Sequence, residues 1–166
     1  MKIIGNNAAR YNFGINGFVS WKGVDLSFLM QGVAKRDAWI GGEIMFPHAG
    51  TFSTFLSHQM DYWTPENPNA YYGRIYQNAQ YAHSVNQWTQ TKFLSNAAYL
   101  RMKNITLGYN LPKSLCQKMS LIGAKVFFSG ENLFTISSLL PGIDPEALSW
   151  QYPMTATYSF GVSINL

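Results

Sequence analysis

Tyr158-Ser-Phe-Gly-Val-Ser-Ile-Asn-Leu166 places an apolar side chain at every second position and a small or polar one between. The phase extends back to Thr155, with Ala156, Tyr158, Phe160, Val162, Ile164 and Leu166 on one side and Thr155, Thr157, Ser159, Gly161, Ser163 and Asn165 on the other. Successive side chains of a strand point to opposite faces, so this segment predicts a strand with one apolar and one wet face. Such a strand suits either a half-buried soluble sheet or the wall of an outer-membrane barrel.

Four earlier segments predict further strands. Arg10 to Trp21 carries Tyr11, Phe13, Ile15, Val19 and Trp21 in one phase against Asn12, Gly14, Asn16 and Ser20. Lys22-Gly23 then predicts a tight hairpin turn, because glycine supplies the positive φ that two-residue turns require. Val24 to Ala34 follows, with Leu26, Phe28 and Met30 opposed to Asp25, Ser27 and Gln31. Asn96 to Asn110 alternates Ile105, Leu107 and Tyr109 with Asn104, Thr106 and Gly108, but Arg101 and Lys103 fall in the apolar phase near its start. A β-bulge or a position above the membrane core accounts for such an interruption. Gly123 to Phe134 is rich in β-formers but apolar in both phases, so its faces stay unassigned.

The connections alternate in length. Lys35 to Lys92 has no sustained period but many aromatics, which predicts a long ordered outer loop of the kind that is usually functional. Leu111 to Ile122, with Pro112, predicts one short helical turn, and Pro141 to Glu146 opens a medium loop before the last strand. Short turns on one side and long loops on the other match the asymmetry of outer-membrane barrels. Five strands do not close such a barrel, so on the membrane reading the chain is expected to be a fragment.

Composition changes the balance between the two settings. Only 12% of the 166 residues are charged while 16% are aromatic; soluble domains average about 25% charged. No apolar run reaches the ~18 residues of a transmembrane helix, and a barrel needs only alternate apolar positions. Met1 to Gly14 has no apolar signal-peptide core, which leaves a cytosolic chain or a missing N-terminus. The net charge of +4 is spread without a basic block, which argues against a nucleic-acid partner.

Candidate chemistry is sparse. The single cysteine, Cys116, excludes an internal disulfide and a multi-cysteine metal site. His48, His58 and His83 have no metal-ligand spacing, so no metal and no cofactor are expected. Asp144 and Glu146 flank Pro145 and suit a rigid turn better than an acid–base pair; no nucleophile elbow or phosphate loop occurs, so no enzyme is expected. In the long loop, Tyr71, Tyr72 and Trp88 are candidate ligand or partner contacts, since such rings stack on sugars and pack on proteins; Trp63 is assigned to loop packing. Tyr11, Trp21, Tyr109 and Tyr158 are candidates for the aromatic girdle, and Tyr158, Phe160, Val162, Ile164 and Leu166 for the lipid face of the closing strand.

Tyr99-Leu-Arg-Met-Lys-Asn-Ile-Thr-Leu-Gly-Tyr-Asn-Leu-Pro112 resembles the segment near the C-terminus of SusC/RagA-type TonB-dependent outer-membrane transporters. Trp21-Lys-Gly-Val-Asp-Leu26, Tyr62-Trp-Thr-Pro-Glu-Asn-Pro-Asn69, Ser129-Gly-Glu-Asn-Leu-Phe134, Gly142-Ile-Asp-Pro-Glu146 and Tyr152-Pro153 occur in that family's order. The resemblance implies an all-β fold: the C-terminal portion, about five antiparallel strands with long extracellular loops, of a transmembrane β-barrel of about 22 strands. Residues 1–166 are then one barrel segment, without the plug domain and earlier strands. It also implies a place in the outer membrane and import of a glycan or peptide. The implied partners are a SusD-like surface lipoprotein, outer-membrane lipid, and the TonB complex acting through the absent plug. The alternative from the residues alone is a soluble β-sandwich module that binds carbohydrate.

Overall fold

The computed structural model describes residues 2–47, 54–76, 88–149, 152 and 154–166. His48, His83 and Pro153 lie outside the described residues. Five long strands form one antiparallel sheet: β1 (Arg10–Trp21), β2 (Val24–Lys35), β5 (Tyr99–Asn110), β6 (Gly123–Glu131) and β8 (Thr157–Asn165), in the order β1-β2-β5-β6-β8. Three short strands accompany them among the described residues: β3 (Asp37–Trp39) pairs with β4 (Leu94–Asn96), and β7 (Thr135–Ser137) pairs with the start of β5. The five segments expected to be strands thus become the five long strands of the sheet. The predicted helical turn is α1 (Lys113–Lys118).

Register explains which face each strand presents. Trp21 lies opposite Val24, Val24 opposite Tyr109, Tyr109 opposite Val126, and Val126 opposite Val162. The next apolar row, Val19, Leu26, Leu107, Phe128 and Phe160, is aligned in the same way. Side chains directly opposite share a face, so the faces of β6 resolve: Ala124, Val126 and Phe128 join the apolar side, and Lys125, Phe127 and Ser129 the other.

Arg101 and Lys103 leave the apolar phase by a bulge. Leu29 pairs with Asn104 but Met30 pairs with Met102, so Lys103 is the extra residue on β5. One inserted residue reverses the alternation beyond it. Leu100 and Met102 consequently join the apolar face, and Tyr99 and Arg101 turn to the polar one.

On the polar face, Lys125 on β6 reaches across β5 to Asp25 on β2 at 2.8 Å. Gly108 leaves room for that stem, because a Cβ there would meet the Lys125 chain. Asp25 also accepts from Asn110 Nδ2 at 2.8 Å and Ser20 Oγ at 2.7 Å, tying four strands together. Gly161 plays a similar part for Phe127, whose ring lies over it from the facing position on β6. Gly161→Val is expected to displace that ring and destabilise the sheet by about 1–3 kcal/mol; a lowered urea midpoint of the detergent-folded protein checks it.

Strand ends have local causes. β6 stops at Glu131, short of the predicted Phe134, because Asn132 takes a positive φ of 51° and turns the chain. β7 then re-pairs with β5. β5 begins at Tyr99 rather than Asn96, since Leu94–Asn96 belongs to the small sheet with β3. The β1–β2 turn, α1 and Leu166 gather at one end of the sheet, and the long connections at the other.

The buried apolar core lies among these long connections rather than against the sheet. It comprises Ala38, Ile40, Met45, Phe46, Tyr72, Phe93, Ala97 and Ile143. The 35–92 segment is therefore a folded cap in its described parts, with 3-10 turns at Gly42–Ile44 and Ser57–Met60. Gln59, fully buried, braces it: its Nε2 donates to the carbonyls of Glu43 and Ile44, and its Oε1 accepts from Leu56 N.

Candidate functional site

The loop end carries a charged cluster that joins two sequence-distant segments. Arg101, turned to the polar face by the bulge, is 3% exposed. Its guanidinium donates from Nη2 to Asp144 Oδ2 at 2.8 Å and from Nε to Thr135 Oγ1 at 2.7 Å, and its Nη1 lies 3.3 Å from Glu146 Oε2. Lys103 Nζ completes the set at 2.7 Å from Glu146 Oε1. Asp144 also accepts from the backbone N–H of Glu146 at 2.8 Å, closing the turn at Pro145. Arg36 Nη1 ties the same turn down by donating to the Pro145 carbonyl at 3.4 Å.

Two cations facing two carboxylates make this cluster a clasp that holds the last long loop against β5. Burial works against ionisation of Asp144, but the Glu146 N–H and the Arg101 guanidinium outweigh it and hold the carboxyl below its ordinary range. An acid kept ionised and paired has no proton to donate at neutral pH, so the geometry is that of a fastener. The sequence signal was present in part: two bases out of phase in a strand, and two acids around a proline. Their mutual contact was not visible from spacing.

The cap packs its aromatics against one another in mixed geometries. Phe46 and Phe93 centroids lie 4.8 Å apart and nearly perpendicular, and Trp39 closes on Phe46 at 6.0 Å. Tyr72 stacks parallel to Phe93 and is 4% exposed. Desolvation, its largest influence, pushes its hydroxyl up to about 12. Tyr72 therefore packs mainly as a core ring of the apolar cluster. Tyr71 keeps one side in solvent while its hydroxyl donates to the Lys92 carbonyl at 3.1 Å. Trp88 is largely exposed. Trp63 is half-buried, with its backbone N–H donating to the Tyr72 carbonyl at 3.0 Å.

The remaining candidates lie on the apolar face of the sheet. Tyr158, Phe160, Val162, Ile164 and Leu166 are all exposed, as are Tyr11, Trp21 and Tyr109. Trp21 and Tyr109 share one cross-strand row at the short-turn end, with Val24 between them. Tyr11 and Tyr158 sit toward the loop ends of their own strands, and Tyr158 stacks near Phe128 at 6.1 Å. His58 is tied to the Ile44 carbonyl at 2.6 Å, and no metal-ligating group of three or more occurs among the described residues.

An antiparallel sheet with one continuous exposed apolar face, one polar face and its folded core in the loops is a segment of a transmembrane β-barrel wall. Comparison with known proteins specifies it further. The chain is 29% identical to TonB-dependent receptor P3 of Formosa agariphila over 150 residues, 88% of this chain and 14% of that protein. It is 39% identical to TonB-dependent receptor SusC of Bacteroides thetaiotaomicron over 80 residues, 44% of this chain and 8% of that protein. The structure of the RagAB peptide importer in its closed-closed state matches 98% of this chain and 18% of its own, at 26% identity and a TM-score of 0.74. No protein-family profile matches. The chain thus resembles SusC/RagA-type TonB-dependent transporters in sequence and in fold, and spans less than a fifth of the length of each relative.

Proposed function

We propose that this chain forms the last strands of a TonB-dependent outer-membrane importer. On this proposal β8 closes the barrel against a strand outside residues 1–166, and the clasped loops line the outer mouth. The plug and the earlier strands belong to a longer protein, through which the TonB complex would act. The cargo would be a glycan or a peptide, received from a SusD-like lipoprotein seated on the loops, with Tyr71 and Trp88 as candidate contacts. The observation that carries the proposal is the aligned apolar face: its side chains are exposed or half-buried across five neighbouring strands, and in water such a face would have to be covered. A soluble β-sandwich would bury it under a second sheet, and the small β3–β4 sheet sits with the loop core instead.

Insertion of an epitope tests the topology. A tag at Glu66, in the turn closed by Asn67 N donating to Thr64 at 3.0 Å, is expected to be labelled on intact cells. A tag in the Lys22-Gly23 turn is expected to be labelled only after the outer membrane is opened. The reverse pattern, or a soluble monomer with a sharp thermal transition when the chain is expressed alone, would overturn the proposal.

A further inference from the structure

Where the cap meets the clasped loop the surface opens into a cavity of about 380 Å³. That volume falls in the usual range for small-molecule sites, roughly 300–1,000 Å³. One wall runs from the end of β3, with Trp39, Ile40 and Ile44, and the other belongs to the last long loop, with Ile143 and Leu148. Each wall is braced separately. Gln59 Nε2 holds the first by donating to the Glu43 and Ile44 carbonyls at 2.6 and 3.1 Å. The second is held by the Arg101–Asp144 pair at 2.8 Å and by Leu148 N donating to the Asp144 carbonyl at 2.9 Å. Walls fixed before a ligand arrives reduce the ordering cost of binding.

The lining is mostly apolar and its charge is one-sided. Glu43 and Ser149, both exposed, add a carboxylate and a hydroxyl, and Glu43 is the one titratable residue lining the cavity among the described residues. The ion pairs among the described residues engage Asp25, Asp144 and Glu146, and none engages Glu43. The rim beside it is open, since a Cβ added at Gly42 would meet no heavy atom within 4 Å. A carboxylate with no cation of its own, set at a cleft with low-dielectric walls, raises the local concentration of positive groups.

Resting on the importer reading above, we propose that this cavity receives a lysine or arginine side chain of a peptide cargo. The aliphatic stem lies along Ile40, Ile44, Ile143 and Leu148, and the cationic head meets the Glu43 carboxylate at the rim. A long basic side chain matches both parts of the site, because it carries its charge at the end of a methylene stem that packs on apolar surface. A sugar matches less well. A pyranose bears a hydroxyl on nearly every ring carbon, and setting these against four aliphatic side chains desolvates groups that such walls leave without a hydrogen bond. An acidic side chain is repelled by Glu43, and a wholly aliphatic one makes no use of it.

The experiment titrates the complete transporter, purified in detergent, with end-blocked pentapeptides that differ only at the central residue: lysine, arginine, norleucine or glutamate. A glucosamine tetramer, which carries its amines on sugar rings, tests the other source of positive charge. The lysine or the arginine peptide is expected to bind about fivefold tighter than the norleucine peptide, the size of one partly exposed ion pair, and to lose that margin as salt is added. Glu43→Gln is expected to abolish the margin, and Glu43→Lys to shift the preference to the glutamate peptide, a reversal that a merely structural role for Glu43 would not produce. Ser149→Trp, at the exposed rim, is expected to obstruct the cavity and weaken binding of both basic peptides. Equal binding of the lysine, arginine and norleucine peptides, tighter binding of the glucosamine tetramer than of either basic peptide, or an undiminished margin in Glu43→Gln would overturn the inference. Heat-shifted gel mobility of the same preparation reports barrel assembly, so failure of this site in an assembled barrel is distinct from failure of the importer reading.

Discussion

Phe160→Arg is expected to remove the assembled protein from the outer membrane, while Ser159→Arg, one residue earlier on the same strand, is expected to leave it in place. The two positions differ in face rather than in depth. Phe160 lies opposite Phe128 on the apolar side, and Ser159 opposite Ser129 on the polar side. An arginine facing hydrocarbon near the bilayer midplane costs about 2–4 kcal/mol, whereas a lumen position is hydrated and tolerates it. Glu131, two residues beyond Ser129 on β6, gives the new guanidinium at 159 a favourable neighbour. The cost also depends on depth. Arginine placed at Phe160, Val162, Ile164 and Leu166 in turn should become less damaging toward the chain end, falling to about 0–1 kcal/mol at the interface. Heat-shifted mobility of the membrane fraction measures each case. Equal tolerance of arginine at 159 and 160, or no decline along the series, would remove β8 from the lipid boundary.

The strands were legible because a membrane wall writes itself into the sequence at a period of two. Each of β1, β2, β5 and β8 needed only its own alternation to be found, and register then confirmed a shared face. β6 resisted for a physical reason: Phe127 fills the space above Gly161 on the polar side, so an aromatic in the wet phase is packing rather than an error of pattern. Arg101 misled the alternation because a one-residue bulge leaves no mark in composition; it is seen only when Leu29 and Met30 are matched to Asn104 and Met102. The cap was legible as aromatic and long, but not its core. Whether a ring faces solvent or Phe93 depends on contacts between residues more than twenty positions apart, which is why Tyr71 and Tyr72 divide, one half in water and one buried.

Arg101→Met is expected to free the loop that Asp144 and Glu146 anchor, and to do so more severely than Lys103→Met. The Arg101 and Asp144 side chains are 4% and 6% exposed, so removing the guanidinium strands a carboxylate in a site with little water. Breaking one partner of a buried pair costs about 3–5 kcal/mol, which at the upper end suffices to open the loop locally. Lys103 and Glu146 retain 20% and 21% exposure, so solvent screens that pair and its loss should cost about 1 kcal/mol or less. Adding Asp144→Asn to Arg101→Met removes the stranded charge and is expected to recover part of the loss. The sign of the pH dependence follows from the same pair. Asp144 titrates below its ordinary 3.8 in the folded protein, so its contribution is fully present above that value and is lost as pH falls through the depressed one. Protease cleavage within residues 138–149 of the intact protein should therefore rise only in strong acid for the native chain. For Arg101→Met it should already be high at neutral pH. Equal cleavage of the native chain and Arg101→Met at neutral pH would show that the loop is held by the Ile143 and Leu148 contacts with the cap, and that the four charges merely ride on it.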